Sequence, residues 1–237
     1  TGTPKNNGQS LSENEILNVG ETLETDHHST AEVRVANIGQ IEVAPNSRLT
    51  LVRTETTEHR LSLEHGSLKA FIIAPPRLFI VDTPSAAAVD LGCAYTLDVD
   101  QNGNSKLRVT SGYVALERDG HESIVMAGAM AETRKDIGVG TPYFENSSEA
   151  FRKALVSFDF EKRGSDALKT ILKESSKQDS LTLWHLLSRT DGADRLRVFE
   201  KLAGFVVPPA ETTKKGILNL EKPMLKLWFD QIASASS

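Results

Sequence analysis

Four times in the first half of the chain, two apolar residues separated by one are followed, after a short gap, by glycine, one further residue and a third apolar side chain. The copies are Val33/Val35 with Gly39 and Ile41, Leu61/Leu63 with Gly66 and Leu68, Leu107/Val109 with Gly112 and Val114, and Ile124/Met126 with Gly128 and Met130. Alternation places apolar side chains on one face of an extended segment, and glycine supplies the positive φ that a tight strand-to-strand turn often needs. The unit therefore predicts strands. The spacing between copies is irregular where a true solenoid keeps a fixed period, so the pattern predicts a twisted, imperfect β-roll, solenoid-like or built as a sandwich of stacked hairpins. Asn102-Gly103 and Asp119-Gly120 are the strongest hairpin signals, both pairs suiting a type I′ turn.

The texture changes past residue 136. Residues 1–15 are polar and read as a flexible lead, 16–136 as the β domain, 137–145 as a linker rich in glycine and proline, and 146–237 as a small α-helical bundle. Ser147 or Ser148 can cap a helix carrying Phe151, Leu155 and Phe158, and Ser165-Asp166 can open a second with Leu168, Ile171 and Leu172. Asp179 or Ser180 starts a third with Leu183, Leu186 and Leu187. Asp191-Gly192 precedes a fourth with Leu196, Phe199 and Leu202, and Pro223 to Ile232 form a fifth. The expected class is α+β multidomain, mainly-β first and all-α second.

Charge is divided along the same line. Residues 1–145 carry 12 Lys and Arg against 20 Asp and Glu, whereas residues 146–237 carry 15 against 12. An acidic β half argues against nucleic acid, because phosphate binding needs clustered cations. No apolar run reaches the length of about 18 residues that reads as a membrane span, so a soluble portion is expected. The one cysteine, Cys93, excludes an internal disulfide framework and any multi-cysteine metal site.

A search for chemistry finds little. Gly138-Val139-Gly140 begins like a dinucleotide loop, but Tyr143 stands where the third glycine belongs. Phosphate-loop, zinc-helix and nucleophile-elbow motifs are missing from the sequence. His27 and His28 are adjacent and on a strand would face opposite ways, and His59 and His65 fall at either end of one expected strand, so no metal site is assigned. Cys93 has no neighbouring cation to activate it and reads as a small buried residue. Asp82, Asp90, Asp98 and Asp100 leave a glycosidase pair open, but Asp98 and Asp100 alternate with Leu97 and Val99 and fit the solvated face of a strand, and Trp184 and Trp228 lie on apolar helical stripes. No catalytic, cofactor-binding or metal-ligating residue is assigned, and an enzyme is not expected.

Several short motifs resemble the FecR-like domain of bacterial transmembrane regulators. They are Val81-Asp82-Thr83-Pro84, Ala86-Ala87-Ala88-Val89, Gly92-Cys93-Ala94-Tyr95-Thr96-Leu97, Val109-Thr110-Ser111-Gly112-Tyr113-Val114 and Ala127-Gly128. Upstream, Thr25-Asp26, Pro45-Asn46-Ser47 and Leu63-Glu64-His65-Gly66 are also similar, so the resemblance runs over about residues 17–133. Cys93 replaces the family's usual threonine and Tyr95 its usual phenylalanine. Thr83, Pro84, Gly92, Gly112 and Gly128 are read as architectural positions.

The resemblance implies the periplasmic part of an inner-membrane-anchored signal-transduction regulator. Such a module would bind a protein partner in the cell envelope and relay a signal to an extracytoplasmic-function sigma factor, with membrane contact through a segment outside these residues. The alternative is a secreted carbohydrate- or small-ligand-binding β domain, with or without hydrolytic activity, which a compact pocket with two close carboxylates would favour.

Overall fold

A computed structural model describes residues 2–12, 14–161 and 164–235. The chain divides into two compact units, Thr1–Val139 and Gly140–Ser237. The first is built of strands and the second mainly of helices, with a two-residue strand at Tyr143–Phe144.

The strands of the first unit, among the described residues, are β1 (Lys5–Asn6), β2 (Gln9–Ser10), β3 (Thr22–Glu24), β4 (Ala31–Val35), β5 (Gly39–Val43), β6 (Arg48–Glu55) and β7 (Glu58–Ile72). They continue with β8 (Phe79–Asp82), β9 (Ala87–Val99), β10 (Ser105–Arg118), β11 (His121–Met126), β12 (Ala129–Arg134) and β13 (Gly138–Val139). Hydrogen-bonded neighbours run in the order β13-β12-β10-β9-β8-β7-β6-β3-β1-β2, a path that does not close on itself. β11 attaches to β10, and β4 attaches to β5, which pairs with β7. The β7/β8 pair is parallel, with His59 opposite Phe79. The stretch read as a flexible lead contributes the β1/β2 hairpin, which extends the sheet by pairing Lys5 with Glu24 on β3.

Two of the repeat's expected corners, Gly66 and Gly112, are not turns between strands, and neither is the architectural Gly92. Gly66, Gly92 and Gly112 lie inside the long strands β7, β9 and β10, all with positive φ. At each glycine the strand changes partners. β7 pairs with β8 over residues 59–62 and with β9 over residues 66–72, while β10 pairs with β12 over residues 105–108 and with β11 over residues 113–118. The β9/β10 register slips at Val109/Ser111 and again at Gly112/Val114, so the bend is made by bulges, which turn a strand sharply without ending it. The sequence pattern located the bends, but alternation alone cannot tell a corner within a strand from a turn between two.

The two hairpin signals also differ. Asp119 and Gly120 both have positive φ, and Arg118 pairs with His121 across them, as a two-residue type I′ turn requires. In the β9/β10 loop only Gly103 has positive φ, and Asn102 does not. There the Asp100 carboxylate accepts from the backbone of Asn102 (2.8 Å) and Asn104 (2.9 Å) and from the Asn104 side chain, and that bonding selects a longer loop.

Inward positions of these strands form the β core, with Leu49, Leu63, Leu68, Leu97 and Leu107 removed from solvent. A helical core is built in the second unit from α1 (Glu149–Phe160), α2 (Gly164–Glu174), α3 (Ser180–Arg189), α4 (Gly192–Phe205), α5 (Lys214–Leu218) and α6 (Lys222–Ala235). α1 packs on α2, and α3 packs on both α4 and α6. Ser148 caps α1 by accepting from the Phe151 amide at 3.2 Å. The short α5, which lacks a full apolar stripe, had no periodic signal to reveal it.

Polar groups close the helical core. The Arg195 guanidinium donates to the carbonyls of Leu187 (2.8 Å), Thr190 and Leu218 (2.9 Å). Trp228 is fully buried and donates its indole N–H to the Val206 carbonyl, and Trp184 donates to Leu225 at 3.0 Å. Both tryptophans serve packing. Asp159, almost fully buried, accepts from Thr141 and faces Arg189 at 3.3 Å.

Candidate functional site

The architectural residues meet at three corners of the β unit. At the first, Thr25 Oγ1 donates to the Ala44 carbonyl (2.7 Å) and accepts from the Ser47 amide (2.9 Å), while Ser47 Oγ accepts from the Ser67 amide (3.0 Å). Asn46 reaches the corner with φ of 56°, and a Cβ on Gly66 would collide with Ser47. Three separate motifs are therefore one structural joint.

At the second corner, Thr83 Oγ1 accepts from the Ala86 amide (3.0 Å) and donates to the Ala86 carbonyl (2.8 Å), closing the turn between β8 and β9. Pro84 lies against Gly103, where an added Cβ would come within 2.8 Å of the ring. Beneath it, the hydroxyls of Ser85, Ser105 and Thr133, all buried, bond to one another and tie this turn to β10 and β12. Buried hydroxyls are stable in this way only when every member has a partner.

The third corner stacks the bends at Gly92 and Gly112. A Cβ on Gly112 would run into the Gly92 carbonyl oxygen. The fully buried Asp90 carboxylate accepts from the Gly92 amide at 2.7 Å and from the Cys93 thiol. Burial pushes the Asp90 carboxyl up from its ordinary range, against the pull of these donors. It likewise pushes the Cys93 thiol up, and the Asp90 carboxylate adds to that rise. Tyr95, also buried, has its phenol pushed up by burial, and its hydroxyl lacks a hydrogen-bond partner among the described residues. A thiol held protonated behind a carboxylate is not a nucleophile.

Gly128 sits in the turn between β11 and β12, donating its amide to Val109 at 2.9 Å. His27 and His28 lie on a turn and not on a strand, and their rings stand 3.8 Å apart. Among the described residues no group of three His, Cys, Asp or Glu is placed to hold a metal ion. His59 is bonded to Thr54 at 2.9 Å, and His65 lies farther along β7 opposite Arg48. Asp82 pairs with Arg60 at 2.7 Å and Asp100 is committed to its loop, so both carboxylates have structural partners. No helix among the described residues is long and apolar enough to cross a membrane.

The conspicuous motifs thus build corners, and they leave the unit's surface to do any binding. Residues 21–115 match the family model described as FecR protein. The match bears out the FecR-like resemblance and contains three of its corner motifs, Thr83-Pro84, Gly92 and Gly112. Two crystal structures of a candidate anti-sigma factor from Parabacteroides distasonis ATCC 8503, at 1.65 and 2.50 Å resolution, are also similar. Each is 15% identical with a TM-score of 0.45, over 57% of this chain and 64% of the other, so the chain spans under two thirds of their length. No curated protein matches the chain.

Proposed function

We propose that this chain is the periplasmic part of a membrane-anchored FecR-like regulator, which binds a protein partner in the cell envelope and relays its state to an extracytoplasmic-function sigma factor system. The FecR match over residues 21–115 carries the reading. The chemistry supports it from the other side, since among the described residues the histidines, carboxylates and cysteine weighed as catalytic candidates are dispersed or engaged in structure. In this reading the β domain of residues 16–136 and the helical domain of residues 146–237, joined by 137–145, form a module that presents strand edges and a helical surface to the partner.

The immobilised chain should retain one envelope protein at stoichiometric level from extracts of the source bacterium, and either removal of residues 145–237 or Val33→Lys on β4 should abolish capture. If nothing is retained, or if both changes leave capture intact, the partner reading fails.

A further inference from the structure

β4 is hydrogen-bonded on one side alone among the described residues, to β5. A cavity of about 820 Å3 runs beside it, lined by all six consecutive residues Ala31–Ala36. Consecutive lining is the mark of a strand edge, because a cavity under one face of a strand would be lined by alternate residues. The N-terminal segment also lines this cavity, with Leu11, Leu17 and Glu15, as do Leu23, Leu61 and Phe79, all three buried. Leu51 and the half-buried Val33 and Val35 add apolar surface, and Thr54 and His59 polar groups. The volume lies in the range of about 300–1,000 Å3 that holds specific ligands. Six residues of strand span about 20 Å at roughly 3.3 Å each.

The charges beside this slot are unbalanced in a way that a particular strand would correct. Glu32 and Arg34 are exposed on the solvent side of β4, and neither has an ion-pair partner among the described residues. On β5, Glu32 faces Glu42, a like charge, and Arg34 faces the neutral Gln40. Lys69 answers Glu42 at 3.9 Å, leaving Glu32 without a cation. Directly opposed opposite charges stabilise a strand pair and like charges oppose it.

We infer that this slot receives an extended peptide segment of the partner protein as an added strand on β4, with apolar side chains directed at the cavity alternating with a basic residue opposite Glu32 and an acidic residue opposite Arg34. Main-chain hydrogen bonds to the open edge supply affinity, and the apolar cavity and the two charges supply register. The inference rests on the proposed partner-binding role and locates it.

The test uses two acetylated, amidated and fluorescently labelled peptides of one composition, Val-Glu-Val-Lys-Val for antiparallel addition and Val-Lys-Val-Glu-Val for parallel addition. Fluorescence anisotropy with the full chain should show saturable binding of one of them at one site. The double charge reversal Glu32→Arg with Arg34→Glu should weaken that peptide about tenfold and strengthen the other arrangement of charges in the same strand direction. Val33→Trp, which fills the cavity, should abolish binding of both, with an unchanged thermal transition showing that the fold is retained. Should that variant not fold, Val35→Phe replaces it.

Absence of saturable binding, or binding indifferent to both the reversal and the filled cavity, overturns the inference. If the intact chain still captures an envelope protein in that case, the partner reading stands and only its location on β4 falls.

Discussion

The stacked bends at Gly92 and Gly112 make a quantitative claim that a pair of alanine substitutions can separate. Gly112 has φ of 69° and Gly120 has φ of 79°, so alanine at either position meets the same backbone penalty, about 1–2 kcal/mol for an L-residue in the left-handed region. Their surroundings differ. An added Cβ at Gly120 meets nothing within 4 Å, whereas at Gly112 it collides with the Gly92 carbonyl, a backbone atom that cannot rotate aside. Relieving that overlap means moving one long strand against the other, which adds about 1–3 kcal/mol on the scale of overpacked cores.

Gly120→Ala should therefore destabilise the protein by about 1–2 kcal/mol, and Gly112→Ala by about 2–5 kcal/mol. At roughly 4 °C per kcal/mol for a unit of this size, the second variant should melt about 4–12 °C below the first. Urea titration followed by circular dichroism, which reports the strand and helical signals at separate wavelengths, would measure both. Equal losses in the two variants would refute the close approach at Gly112, and a Gly112→Ala protein as stable as the wild type would also refute the positive φ.

Four further tests bear on other joints. Thr133→Val keeps the side chain's shape but takes one hydrogen-bond partner from each of the Ser85 and Ser105 hydroxyls and the acceptor from the buried Ser105 amide, and should cost about 1–3 kcal/mol in denaturant titration, with Ser85→Ala/Thr133→Val less damaging than additivity predicts. Arg189→Met leaves the buried Asp159 without its cation and should cost about 3–5 kcal/mol, a loss that Asp159→Asn in the same chain would largely recover. Asp90 carries a folded-state pKa above its unfolded value, so its contribution to stability is fully present below the unfolded value and is lost as pH rises through the folded one. Relative to Asp90→Asn, the wild type should therefore lose stability between acid and neutral pH, and parallel pH profiles from urea midpoints would count against a buried carboxyl. Native Cys93 should also resist a thiol reagent until denaturant opens the β unit, because it is buried and its thiol is held protonated.

What the sequence made legible follows from how local each signal is. Helix starts were readable because a cap and an apolar stripe are encoded within a few residues, as at Ser148 with Phe151 and Leu155. The β unit was readable as strands and bends, but its joints were not, since each is closed by residues far apart in sequence. Thr25, Ser47 and Gly66 sit in three motifs with no mutual spacing, and the Ser85–Thr133 bond spans 48 positions. Asn102-Gly103 failed as a type I′ signal because a side chain just outside the pair, Asp100, offers the loop better hydrogen bonds than the dipeptide preference supplies.

The candidate binding slot was the least legible feature, and the reason is general to sheets. Alternation in Val33 and Val35 reports that one face of β4 is apolar, but whether a strand has one neighbour or two depends on the register of every other strand. Glu32 and Arg34 carry no signal of their own in the sequence; strand pairing is what places Glu42 and Gln40 opposite them. Topology converts an unremarkable pentapeptide into an edge with unpaired backbone groups, an apolar floor and two uncompensated charges. The glycine corners have the complementary part in this arrangement. By letting β7, β9 and β10 change partners without ending, they consume the inner edges of the unit and leave β4 open. A change that straightened the bend at Gly66 would accordingly be expected to disturb β5, which pairs with the segment of β7 just beyond it, and through β5 the edge itself.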